Sequence, residues 1–255
     1  TDQPHHPASR FSALGCRSKK EAEADKLREE IAKTRQPTIF VEGVHDVAIF
    51  NSALKRMGSE NEVAIKPLGG TPSTTDALLS SVLLQGGINS ESPVIFLFDN
   101  DKSGRSAFRK LCSSPPGQDP ACYQGRIFVW SLPFTEEFQS FMKRRSIGAD
   151  QAFFTAEFLL PASEAASLCE EIVGECSGSN VDEWRTTIHG DYWQSLGQRR
   201  YQAMISAKEG TTDWFYARGV PDFAKSKFWQ EANKRNFSTK DVDRIINTAI
   251  NTLNS

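Results

Sequence analysis

Two short acidic clusters hold the residues best suited to chemistry. Asp99-Asn100-Asp101 follows the apolar run Val94-Ile95-Phe96-Leu97-Phe98, and Glu42, with Asp46 close behind, follows Thr38-Ile39-Phe40-Val41. An apolar run bounded by Pro93 and rich in β-branched and aromatic residues reads as a strand buried on both faces of a parallel sheet. The acids then sit at strand exits, the edge of an open α/β sheet where ligands bind. Right-handed crossovers can bring two such exits side by side. Glu42, Asp99 and Asp101 on one rim would repel each other unless a cation neutralised them, and oxygen-only ligation favours Mg2+ or Mn2+.

The elements that must position these acids follow from periodicity and punctuation. After Glu42-Gly43, the residues Val47, Phe50, Leu54 and Met57 recur at helical spacing up to Gly58. A second strand is expected over Val63 to Leu68, then a helix over Thr71 to Gln85 that carries Pro72 at its start and is closed by Gly86-Gly87. The central strand leads into a helix from Ser103 to Cys112, a Pro/Gly loop over Ser113 to Gln124, and a fourth strand over Arg126 to Trp130. The alternation predicts an α/β fold, a parallel sheet of about four strands flanked by helices. Residues 1–15 read as a flexible lead-in, and Ser18 to Arg35 as a charged amphipathic helix. Beyond the sheet the chain reads as a mainly helical C-terminal extension, with helices over Ala162 to Cys176 and Thr239 to Leu253. The expected division is 1–36, 37–135 and 136–255.

Composition narrows the function classes. The chain has 255 residues, with 30 Lys and Arg against 32 Asp and Glu, for a net charge of −2. An overall basic footprint for nucleic acid is therefore missing, while a local basic patch beside an acidic site remains compatible with these numbers. No apolar run approaches the roughly 18 residues of a membrane span, and nothing N-terminal reads as a signal peptide. The five cysteines show no CxxC spacing and read as free thiols of a cytoplasmic protein, not as a zinc site. The chain starts without methionine, and a fragment or a trimmed form is expected.

Glu42-Gly43-Val44-His45-Asp46 resembles the EGxxD signature, and Asp99-Asn100-Asp101-Lys102-Ser103-Gly104 the DxDxxG signature, of the Toprim domain of topoisomerases, primases and OLD-type nucleases. The resemblance covers residues 37–132. It implies that Glu42 is a metal ligand or general acid/base, that Asp99 and Asp101 are metal ligands, and that Asp46 is a supporting carboxylate. Gly43 and Gly104 would complete the motifs, Gly104 by letting the backbone turn tightly into its helix. OLD-type nucleases add a glutamate in an apolar context and a later lysine. Glu157, inside Phe153-Phe154-Thr155-Ala156-Glu157-Phe158-Leu159-Leu160-Pro161, is the preferred glutamate, because a lone acid there is costly to bury without a metal or a partner. Glu136 and Glu137 are the alternatives. Lys227, in Phe223-Ala224-Lys225-Ser226-Lys227-Phe228, is the first choice for the lysine, while Lys102, Arg105 and Lys225 are candidate substrate contacts.

Other readings fit less well. An EF-hand loop beginning at Asp99 would place Lys110 where a bidentate glutamate is required. A haloacid-dehalogenase-type phosphatase also uses a strand-exit DxD, but after the first strand of its sheet. Acids that merely cap the helix at Ser103 satisfy its dipole and leave Glu42 unexplained. The aromatic and basic residues between Trp184 and Trp229 could stack bases and contact phosphates, or form core and rim. The expected function is a Toprim nuclease cleaving DNA or RNA with two Mg2+ or Mn2+ ions about 3.5–4 Å apart, in the setting of antiviral defence. The rival is a Toprim module that binds nucleic acid or a partner without cleaving. No GxxxxGK[ST] loop is present, so a coupled ATPase would act in trans or on a removed segment. Oligomerisation is left open.

Overall fold

The computed structural model describes residues 22, 24–68, 83, 90–186, 188, 196–235 and 237–255. The flexible lead-in, Cys16, His189 and all but Leu83 of the expected Thr71–Gln85 helix fall outside them. Five strands form one sheet: β1 (Thr38–Val41), β2 (Ala64–Pro67), β3 (Val94–Phe98), β4 (Ala121–Gln124) and β5 (Ile127–Ser131), in the order β2-β1-β3-β5-β4. The pairs β1–β2, β1–β3 and β3–β5 are parallel, while β4 runs antiparallel to β5. Thr38 pairs with Val94 and Phe40 with Phe96, so the carboxyl ends of β1 and β3 lie next to each other.

The three central strands are apolar because both faces of the sheet are covered. Ile39, Val41, Ile95, Leu97 and Trp130 point into one core cluster. Phe40, Val94, Phe96, Phe98, Ile127 and Val129 point into the other, beneath helix α1 (24–32) with its buried Leu27 and Ile31. Phe40 and Phe96 stack there with ring centroids 5.1 Å apart. Helix α2 (Val44–Met57) follows β1 and stops at Gly58, whose φ of 70° is the left-handed conformation of a helix end. Helix α3 (Lys102–Leu111) follows β3.

The expected four strands become five because part of the Ser113–Gln124 loop is strand. Residues 121–124 alternate between half-buried and exposed and join β5 through a two-residue turn with Gly125 at φ 56°. An edge strand with one solvated face lacks the continuous apolar run that marks β3.

The C-terminal region is helical: α4 (Glu136–Arg145), α5 (Ala162–Gly174), α6 (Ser179–Thr186), α7 (Gln198–Ile205), α8 (Thr212–Arg218), α9 (Asp222–Lys234) and α10 (Lys240–Leu253), with short 3-10 turns at Ala149–Gln151 and Ala156–Leu159. It packs on the face of the sheet that carries Ile39, Ile95 and Trp130, and the two share one continuous apolar core. Trp214, Phe215, Tyr216, Phe228 and Trp229 lie in that core, so most of the described aromatics of this half pack inside rather than face a ligand. Among the described residues no helix is long and apolar enough to cross a membrane.

Candidate functional site

The site starts from two neighbouring strand exits. Glu42 leaves β1 and Asp99 leaves β3, and the Asp99 backbone N–H donates to Glu42 Oε1 at 2.9 Å. The two turns that follow are built the same way. Asp46 Oδ2 accepts from the Gly43 N–H at 2.9 Å, and Asp101 Oδ1 accepts from the Gly104 N–H at 2.7 Å. Each of these acids satisfies a backbone donor left over at a helix start while its charge meets the positive end of the helix. Helix capping and membership of the acidic rim are therefore compatible roles.

Gly104 has a different physical reason from the expected tight turn. Its φ is not positive; instead, a methyl group there would lie well inside contact distance of the Asp99 carbonyl oxygen. Only glycine lets α3 start this close to the strand exit. Asn100 and Arg105 then fix the loop from beneath. The buried Asn100 takes its N–H to the Phe154 carbonyl at 2.8 Å and its Nδ2 to the Leu132 carbonyl at 2.9 Å. Arg105, also buried, donates to the Asn100 carbonyl at 2.6 Å, to Asn100 Oδ1 at 3.2 Å and to the Asp150 carbonyl at 3.0 Å. Arg105, a candidate substrate contact from sequence, is buried and braces the DxD loop through these oxygens.

Glu157 joins the same rim from the C-terminal region. It lies in the 3-10 turn after Thr155, is 4 % exposed, and pairs with Lys225 of α9 at 3.3 Å. Lys225 also reaches Asp222 at 3.4 Å. Burial would raise the Glu157 carboxyl, but Lys225 and the Thr155 hydrogen bond hold it below its usual range. Lys225 is raised in turn, first by Glu157 and less strongly by Asp222, Asp99 and Asp46.

Lys227, the lysine favoured from sequence, stands elsewhere. Two residues along a helix rotate a side chain by about 200°. Lys225 therefore faces the acids while Lys227 pairs at the surface with Glu175. Of the alternative glutamates, Glu136 and Glu137 open α4 after the Thr135 cap, and Glu137 Oε2 accepts from the Ala162 N–H at 3.3 Å. Neither belongs to the rim. Lys102 is exposed at the first position of α3, directly after Asp101.

The electrostatics record how crowded the rim is. Burial, and then Glu42, Asp46, Asp101 and Glu157, push the Asp99 carboxyl well above the ordinary range. Burial and Glu157 push Asp46 up to about 7, against the Gly43 N–H and Lys225. An all-oxygen donor set whose members oppose each other's ionisation suits a hard divalent cation. The fit is chemical and not preformed: among the described residues no three acidic, imidazole or thiol side chains close on one point as a finished cage.

No family model matches the chain, and no curated protein matches it.

Proposed function

We propose that the chain is a metal-dependent nuclease of the Toprim kind, cleaving phosphodiester bonds of DNA or RNA. One observation carries the reading: the Asp99 backbone N–H bonds the Glu42 carboxylate across adjacent strand exits, and Asp99 shares its electrostatic environment with Glu42, Asp46, Asp101, Glu157 and Lys225. A structural set of acids would be spread or paired, and this one is concentrated against its own repulsion.

In this reading Glu42, Asp99 and Asp101 hold Mg2+ or Mn2+, which supplies Lewis acidity at the phosphodiester. Asp46 holds the Gly43 turn that presents Glu42. Lys225, oriented by Glu157, meets negative charge developing on the phosphoryl oxygens, the role sequence had given to Lys227. Arg105 and Asn100 keep Asp99 and Asp101 in place when charge at the rim changes. ATP coupling in this reading would come from a partner protein or from a segment outside residues 1–255.

A second reading, a module that binds nucleic acid without cleaving, is favoured by the open arrangement of the acids. A cleavage assay separates the two. Labelled single- and double-stranded DNA and RNA are incubated with Mg2+, Mn2+ or EDTA. Cation-dependent cutting, lost in Asp99→Ala with an unchanged circular dichroism spectrum, is the expected result. Binding without cutting in any cation would overturn the nuclease and leave the binding module.

A further inference from the structure

We propose that the outer face of α3 is a track for a nucleic-acid backbone, leading away from the acidic rim and built on Lys102, Arg109 and Lys110. The proposal rests on the phosphodiester reading of the rim and deepens it by naming where the polymer runs. A cleft of about 320 Å3 lies along this face, lined by Lys102, Arg105, Ser106, Arg109, Lys110 and Asp150. It sets four cationic side chains against one carboxylate, in a chain whose net charge is −2. A basic concentration against the overall charge is the electrostatic footprint of a polyanion site.

Sequence spacing explains the stripe. Positions 102, 105, 106, 109 and 110 fall at i, i+3, i+4, i+7 and i+8, which one helix face displays together. Arg105 is buried in the base of the cleft and spends its donors on Asn100 and Asp150, while Lys102, Ser106, Arg109 and Lys110 are exposed. The cations therefore divide into one that holds the loop and three that face outward. Lys102 to Arg109 spans about 10 Å at about 1.5 Å per residue. Laid parallel to the axis of a B-form duplex, that length covers about three base-pair steps of about 3.4 Å axial rise each. The track begins one residue after Asp101, so a backbone lying along it delivers its next phosphate to the rim. Duplex DNA is the occupant this spacing fits.

The test measures binding apart from cutting. Affinity of the full chain for a labelled 30-base-pair duplex is followed in EDTA over a range of salt. Each lost phosphate contact reduces the slope of log affinity against log salt by about 0.9. Arg109→Ala with Lys110→Ala should lower that slope by about 2 and weaken binding at least tenfold at low salt. Lys227→Ala with Lys234→Ala, which removes the same charge elsewhere on the surface, should change the slope by less than half as much. Equal losses in both pairs would overturn the track and leave only net charge. So would unchanged affinity in the first pair, or dependence on Arg109 and Lys110 for anionic phospholipid vesicles but not for duplex. The outcomes also part this inference from the nuclease reading. Slope loss in a chain that never cuts keeps the track and sinks the nuclease, while cutting that ignores Arg109 and Lys110 does the reverse.

Discussion

Asp46 and Asp99 are carboxyl groups the fold would rather keep protonated. The Asp46 carboxyl is pushed to about 7 by burial and Glu157, from an ordinary value of 3.8. A group with a raised folded pKa binds more protons folded than unfolded between those two values. Its contribution to stability is therefore present at low pH and is lost as pH rises from about 4 to about 7. Glu157 is lowered and acts in the opposite sense, losing its contribution as pH falls through its folded value. In EDTA, the melting temperature should fall as pH rises between about 5 and 7, and fall less in Asp46→Asn. Mg2+ at neutral pH should raise it by a few degrees, and by less in Asp99→Asn. Scanning calorimetry would settle this, since a wild-type melting temperature that rises through the same interval means the acids do not strain the fold.

The two lysines of α9 give a sharper contrast. Breaking a buried pair from one side costs about 3–5 kcal/mol, and because Lys225 is 28 % exposed the lower end applies to Lys225→Ala. Lys227 and Glu175 are both largely exposed, and solvent-screened pairs of this kind contribute little to stability. Urea titration should find Lys225→Ala strongly destabilised, Lys227→Ala close to wild type, and Glu157→Gln with Lys225→Met partly restored. Equal effects of the two single changes would contradict the placement of α9. Sequence displays both lysines and favours Lys227, whereas the structure turns Lys225 toward the acids. The choice depends on how α9 is rotated against the sheet, which is set by Ala224, Phe228 and Trp229 packing into the core.

At the scale of elements, the strand exits were legible and the supports beneath them were not. The runs 38–41 and 94–98 ended in acids because buried parallel strands have a continuous apolar signature and a sharp end. Strand β4 was missed because its pattern is short and alternating. The brace of Asn100 and Arg105 was missed because an arginine after DxD reads equally well as a phosphate contact. Gly104 is required by the close approach of α3 to the Asp99 carbonyl and not by a positive φ, and this can be tested. Overpacking a tight site costs about 1–3 kcal/mol, so Gly104→Ala should lower the melting temperature by about 2–10 °C at this chain length. It should also displace α3 from Asp99 and abolish cutting. Gly174, the last residue of α5, has open space where its side chain would be. Gly174→Ala should be neutral or stabilising by up to about 1 kcal/mol. If Gly104→Ala also melts and cuts like wild type, α3 does not need its close approach to the strand exit.

At the scale of the whole chain, the boundary expected near residue 135 separates motifs but not cores. Ile39, Val41, Ile95, Leu97 and Trp130 of the sheet belong to the same apolar cluster as Phe138, Phe158, Phe215, Val242 and Ile246 of the C-terminal helices. The rim crosses the boundary as well, because Asn100 donates to the Phe154 carbonyl and Glu157 and Lys225 come from beyond it. Without the C-terminal half only α2 would cover the sheet face that carries Ile95, Leu97 and Trp130, and apolar surface left in water costs about 25 cal/mol per Å2. A fragment ending at residue 135 should therefore aggregate or lack a cooperative urea transition, even though it contains both complete motifs. Adding residues 136–255 as a separate polypeptide should restore solubility and, with Mg2+, cutting. A fragment that alone gives a cooperative transition and dispersed amide resonances would establish an autonomous sheet domain. In that case the C-terminal helices would complete the site without holding the fold together.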